Sequence, residues 1–214
     1  MVLTPPNQRL LCPHCARPQS ACICRWVTPV AQPTAVLILQ HPMEAGHAKN
    51  STGLLHMSLP QSRVLVGEAF DEAALRTALE PDKYTLLLYP PSDYDGHVAP
   101  VALDATQLTV PAQLRLVVLD ATWRKSRKML HLSPWLQGLP RLSLDESLVS
   151  SYTIRKAHKP GQCSTLEATC AALAHLQGDA PRYAALLQAF RGFVAQQAAY
   201  VRDRGPAPAP ETIP

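Results

Sequence analysis

The sequence predicts an α/β fold with a mostly parallel sheet flanked by helices. Three observations predict it. Five short runs are apolar almost throughout, as strands buried on both faces are. Helical patterns alternate with those runs and follow them. A chain of 214 residues, 47% hydrophobic, has the core of one globular domain with a small appendage.

The elements come in order. Residues 1–11 read as loose, and residues 12–24 as a cysteine knuckle. Pro29 and Pro33 make 25–33 a linker, so 1–33 form an N-terminal segment. The main domain is placed at 34–204. Its strands are expected at 35–39, 63–67, 84–89, 114–119 and 141–144. Asp71 caps a short helical pattern to Leu79, and Pro90-Pro91 stop the third strand. Ser164 and Glu167 form a Ser-x-x-Glu capping box that opens a helix to about Gln177. Pro181 suits the first turn of the next helix, with Tyr183, Leu186, Leu187, Phe190, Val194 and Val201 on one face. The Pro-Ala tail over 205–214 reads as extended or disordered.

No apolar run approaches the roughly 18 residues that would span a bilayer. The first residues lack a basic stretch followed by an apolar one, so the chain reads as soluble and cytoplasmic. The net charge of +4 says little, but its distribution says more. Residues 115–160 carry nine Lys/Arg and three acids, giving +6 and leaving −2 elsewhere. Such a patch suits a polyanion or, more plainly, a solvated helix face.

Four of six cysteines fall in Cys12-x-x-Cys15 and Cys22-x-Cys24. In a reducing compartment this cluster favours structural zinc over a redox dithiol or free thiols. Four thiolates leave no open position for catalysis on the metal. Cys163 and Cys170 read as a loop thiol and a core thiol.

Ligands of open parallel sheets bind beyond the carboxyl ends of strands. After the first strand come His41 and Glu44, a possible acid/base pair, then Lys49, Asn50, Ser51 and Thr52 at a helix start. That start either binds an anion through free N–H groups or is a plain cap. After the third come Pro90 and Pro91, a wall or a simple terminator. After the fourth, Asp120-Ala-Thr122-Trp123 turns straight into a basic helix. Arg124, Arg127, Lys128 and His131 share one of its faces. Asp120 is a helix cap, an electrostatic anchor or a general base; Trp123 is core or a stacking platform.

Asp120-Ala-Thr122-Trp123 resembles the signature of DTW-domain proteins, the tRNA-uridine aminocarboxypropyltransferases. Four further blocks resemble that family in order. They are the cysteine knuckle, His41-Pro-x-Glu44 with Asn50-Ser-Thr52, Leu88-Tyr89-Pro90, and Tyr152-Thr-Ile-Arg155-Lys156 with Ser164-Thr165-Leu-Glu167-Ala168. The resemblance covers about residues 12–200 and implies a SPOUT-like fold with a C-terminal trefoil knot. It also implies S-adenosylmethionine as co-substrate and tRNA as partner. The implied reaction moves the 3-amino-3-carboxypropyl group to N3 of a uridine, at position 47 of the variable loop in similar bacterial members, and releases methylthioadenosine.

On that reading Asp120 takes the N3 proton. Arg155, Ser164 and Thr165 hold the amino-acid carboxylate, and Glu167 the amine unless it is only a capping acid. Thr122 also belongs to the cofactor site. Leu88, Tyr89, Pro90, Leu139, Arg141 and Leu142 surround the adenine. Arg124, Lys125, Arg127, Lys128, Lys156 and Lys159 meet RNA phosphates, beside Trp123 and the 41–52 block. Two other readings stand beside this one: a SPOUT-type RNA methyltransferase and a non-catalytic zinc-containing RNA-binding module.

Overall fold

The computed structural model describes residues 10–47, 49–78, 83–90, 98–144 and 163–203. Five strands form one wholly parallel sheet. They are β1 (Ala35–Gln40), β2 (Ser62–Val66), β3 (Tyr84–Leu88), β4 (Leu114–Asp120) and β5 (Arg141–Leu142). Their spatial order is β2-β1-β4-β3-β5. The long runs at β1 and β4 take the centre, where both faces are covered and continuous apolar sequence is required.

Side chains alternate between two cores. On one face Val36, Ile38, Leu116 and Val118 pack beneath α1 (Thr52–Ser58), α5 (Thr165–Gln177) and α6 (Ala184–Asp203). On the other, Leu37, Leu39, Leu87 and Val117 meet residues of α2 (Glu72–Ala78), α3 (Trp123–Leu132) and α4 (Pro134–Gly138).

Local sequence sets the helix ends. The Asp71 carboxylate accepts the Ala74 N–H at 2.9 Å. The Ser164–Glu167 capping box forms in full, and Gly178 closes α5 with φ +61. Pro181 opens a 3₁₀ turn that buries Tyr183 and runs into α6, which buries Leu186 and Phe190 as expected and Phe193 besides, with Leu187 and Val194 half-buried. Val201's side chain and the 205–214 tail lie outside the description. The expected knot falls on the chain after β5, of which 145–162 are likewise outside it.

The N-terminal segment shares the main core. Ile23 and Val30 are buried against it with Leu54, Phe190 and Phe193. Trp26 lies on α6, where a Cβ at Gly192 would come within 2.1 Å of its ring. No helix of the described residues is long and apolar enough to cross a membrane.

Candidate active site

β1 and β4 are neighbours, yet β1 leads outward to β2 and β4 to β5 beyond β3. That reversal opens a crevice at their carboxyl ends. Gln40 and Asp120, the last residues of the two strands, are register partners there.

Asp120 is 5% exposed and does not cap α3, whose N-cap is Thr122. Its Oδ2 accepts Gln40 Nε2 at 2.8 Å and Asn50 Nδ2 at 2.7 Å. Its Oδ1 accepts the Thr165 hydroxyl at 2.6 Å. A carboxylate has about four acceptor positions, so three donors from three elements nearly saturate it. The donors come from the end of β1, the β1–α1 loop and the first turn of α5. Asn50 is fixed in turn, because its Oδ1 accepts the Thr52 N–H at 2.8 Å, across the Ser51 N-cap of α1.

Thr165 also lines a cavity of about 250 Å³ beside the crevice. Leu88, Tyr89, Pro90 and Leu142 form apolar wall, and Trp123, Ser126, Cys163 and Ser164 complete the polar and aromatic rim. Tyr89 meets Trp123 edge to face, with ring centroids 5.8 Å apart. Arg141 stands over the other partner of that pair, 5.3 Å from the Tyr89 centroid. Leu139 packs in the same core as Tyr89 but is not among the described residues that line the cavity. Glu167 is fully buried and its Oε2 accepts the Ser164 N–H at 2.8 Å. Arg155, Lys156 and Lys159 lie outside the described residues.

Trp123 is 51% exposed, so it belongs to the cavity mouth and not to the core. The basic face of α3 divides in two. Lys125 pairs with Glu44 at 2.9 Å, and Lys128 with Glu68 at 2.8 Å. Arg124 and Arg127 are exposed with no carboxylate partner among the described residues. His41 pairs with Glu68 at 2.8 Å rather than with Glu44. Its Nδ1 accepts the Met43 N–H at 3.1 Å, so Nε2 carries the proton given to Glu68. Lys49 is exposed, whereas Ser51 and Thr52 are buried at the start of α1.

Sequence reading did not place Gln40 beside Asp120, nor Val118, Leu119, Ala121, Ser126, Leu144 and Ala168 at the cavity. A glutamine ending an otherwise apolar strand was the one available signal, since a buried amide needs a partner.

The four knuckle sulfurs lie within 4.8 Å of one another. Cys12 and Cys24 sulfurs are 3.6 Å apart, and those of Cys15 and Cys22 3.8 Å. A tetrahedral zinc with bonds of about 2.3 Å spaces its sulfurs about 3.8 Å apart. Backbone N–H groups of Cys15 and His14 pull the Cys12 thiol down to about 6, while burial and then the neighbouring sulfurs push Cys24 up to about 12. The cluster cannot hold four thiolates unaided near neutral pH. A cation among them would compensate that charge.

The fold and site define an α/β protein with a ligand crevice at the carboxyl edge of a parallel sheet, braced by a four-thiol cluster. The profile of the DTW domain matches residues 9–198, and the chain belongs to the DTW domain family. It is 32% identical to a fruit-fly protein named tRNA-uridine aminocarboxypropyltransferase 2, over 81% of this chain and 69% of that one. It is 28% identical to tRNA-uridine aminocarboxypropyltransferase A of Arabidopsis thaliana, over 94% and 86%. The mouse protein named tRNA-uridine aminocarboxypropyltransferase 2 is 30% identical over 92% and 67%. No solved structure matches the chain.

Proposed function

We propose that this chain transfers the 3-amino-3-carboxypropyl group of S-adenosylmethionine to N3 of a tRNA uridine, that of position 47 in the variable loop. The observation that carries the reading is the Asp120 carboxylate, buried at the crevice and joined through the Thr165 hydroxyl to an apolar cavity, in a chain of this family. S-adenosylmethionine supplies an electrophilic carbon with a neutral thioether leaving group, so no strong acid is required.

The chain's residues then have three tasks. The first is to hold the co-substrate. Leu88, Tyr89, Pro90 and Leu142 offer apolar surface for a purine, and Ser164 has a hydroxyl proton to give a carboxylate. The second is to take the N3 proton. Thr165 stands between cavity and carboxylate. Its Oγ1 accepts the uridine proton as its own passes to Asp120 Oδ1, while N3 bonds to the carbon and the carbon–sulfur bond breaks. Gln40 and Asn50 keep Oδ2 occupied, which aims Oδ1 at Thr165. The third is to hold RNA. Trp123 presents half its surface for a base to stack on, and Arg124 and Arg127 offer charge to phosphates. Zinc on the four cysteines is structural in this reading. Its thiolates are all committed, and it braces the segment packed on α6.

The test is transfer to unmodified tRNA from co-substrate labelled either in the carboxypropyl carbons or in the methyl group, followed by nucleoside analysis. Label from the carboxypropyl carbons on uridine is the expected result. Label from the methyl alone would make the chain a methyltransferase, and the reading would fall.

A further inference from the structure

Arg17 lies inside the cysteine knuckle by sequence, and its side chain both feels the Cys15 thiol and reaches beyond the knuckle. Its carbonyl accepts the Cys12 N–H at 2.7 Å, which ties its backbone to the turn carrying the first two thiols. Its guanidinium leaves the knuckle and donates through Nη2 to the Asn50 carbonyl at 2.9 Å. The same group lies 5.6 Å above the Phe193 ring of α6, which holds its plane in place.

Asn50 needs that donor. The first carbonyl that α1 uses is that of Ser51, which accepts the Leu55 N–H at 3.0 Å. The Asn50 carbonyl is one residue too early for the helix. Turn bonds hold the loop's N–H groups, Asn50's own donating to the His47 carbonyl at 2.9 Å, and Gly46 stands at φ +78, but none of those bonds uses the Asn50 carbonyl. Yet the Asn50 side chain must be placed well, because its Nδ2 reaches Asp120 Oδ2 at 2.7 Å.

We infer that Arg17 is a positioning residue that couples the cysteine cluster to the Asp120 carboxylate through Asn50. A metal held by the cluster sets the Arg17 backbone, Arg17 sets Asn50, and Asn50 sets the carboxylate. The knuckle is then part of the machinery that shapes the crevice and not only a peripheral clip. The catalytic part of this inference rests on the transferase reading above; the structural part does not.

The experiment uses the full chain loaded with zinc, as wild type, Arg17→Met and Arg17→Lys. Metal content, amide hydrogen exchange over 50–58, kcat and KM are measured for each. The Thr52 amide is the reporter, because it is held by Asn50 Oδ1. Arg17→Met should retain the metal, speed exchange at Thr52 about tenfold and lower kcat by tenfold or more with KM for the co-substrate little changed, as slight misplacement of a reacting group does. Arg17→Lys, which can still donate to the carbonyl, should recover most of both. Chelating the metal from wild type should speed the same amide, and chelation should add nothing further in Arg17→Met. The wild-type chelation arm stands even if Arg17→Met loses its fold.

Unchanged exchange and kcat in metal-loaded Arg17→Met, with wild type active, would overturn the coupling and leave the transferase reading intact. The expected exchange response in a wild type that transfers nothing would do the reverse.

Discussion

The Thr165 hydroxyl donates to Asp120 Oδ1 at 2.6 Å, from the first turn of α5 to the last residue of β4. The bond joins two parts of the chain 45 residues apart. It also separates two roles that the sequence merges. Asp120 carries the charge, and of the two residues Thr165 is the one that lines the cavity. Thr165→Val keeps the shape and removes the hydroxyl, so kcat should fall by about 10²-fold or more, the usual worth of a positioned proton acceptor. Thr165→Ser should stay within several-fold of wild type. The measurement is single-turnover transfer at saturating co-substrate. A Thr165→Val enzyme that turns over normally would remove the hydroxyl from the proton path.

Asp120→Asn can sit in the site in two ways. The new amide would either point its NH₂ at the Gln40 and Asn50 donors or, flipped, at the Thr165 hydroxyl. The first arrangement sets donor against donor in a buried place, costing about 1–3 kcal/mol, so the side chain takes the second: its oxygen keeps Gln40 and Asn50, and its NH₂ donates to the Thr165 oxygen, which is then occupied as an acceptor. The variant should therefore lose turnover by about 10²-fold or more and keep most of its stability, read by urea unfolding beside the transfer assay. Turnover near the wild-type rate would remove the carboxylate from the proton path.

Arg124 and Arg127 should carry the salt-dependent part of RNA binding on α3, and Lys125 and Lys128 much less of it. The lysines already neutralise Glu44 and Glu68. Each arginine changed to Gln should reduce the slope of log affinity against log salt by about one for tRNA. Filter binding across a salt series measures it. Equal slopes for Arg127→Gln and wild type would place the phosphate contacts elsewhere.

The strands and long helices were legible because their signals are local. Continuous apolar runs mark β1 and β4, and Ser164 with Glu167 marks the start of α5. Asp120 was legible as a buried carboxylate in need of partners because it ends an apolar strand. Which partners it has was not, since Gln40, Asn50 and Thr165 are joined only by sheet register and helix docking. The ion pairs that occupy Lys125, Lys128 and His41 were hidden for the same reason. Their acids come from loops after other strands, and a helical wheel shows only the charges on its own helix.

The His41–Glu68–Lys128 clamp gives an acid-range prediction. The Lys128 ammonium, then the His41 imidazole, hold the Glu68 carboxyl below its ordinary 4.5. An acid with a lowered folded value contributes stability that is complete above its unfolded value. That contribution is lost as pH falls through the lower folded value. The window therefore opens near pH 4.5 and extends downward. Between pH 7 and pH 3, wild-type Tm should fall more steeply than that of Glu68→Gln, with the difference confined to that window. Parallel curves through it would show that the clamp adds nothing to stability.

Gly192 allows the N-terminal segment to lie on α6. A Cβ there would meet the Trp26 ring at 2.1 to 2.8 Å, where no contact is tolerated. The indole cannot easily withdraw, because its N–H is bound by the Gln196 side chain and the Arg25 guanidinium lies 4.6 Å above its ring. Two effects compete in Gly192→Ala. Helix propensity favours alanine by about 1 kcal/mol. Overpacking of a fixed ring opposes it by about 1–3 kcal/mol and should win. In a Trp26→Leu background the ring is gone and only the propensity term is left, so the same change should become neutral or stabilising. Urea unfolding of the two singles and the double measures the coupling. Equal destabilisation in both backgrounds would show that contact with Trp26 is not what requires glycine at this position.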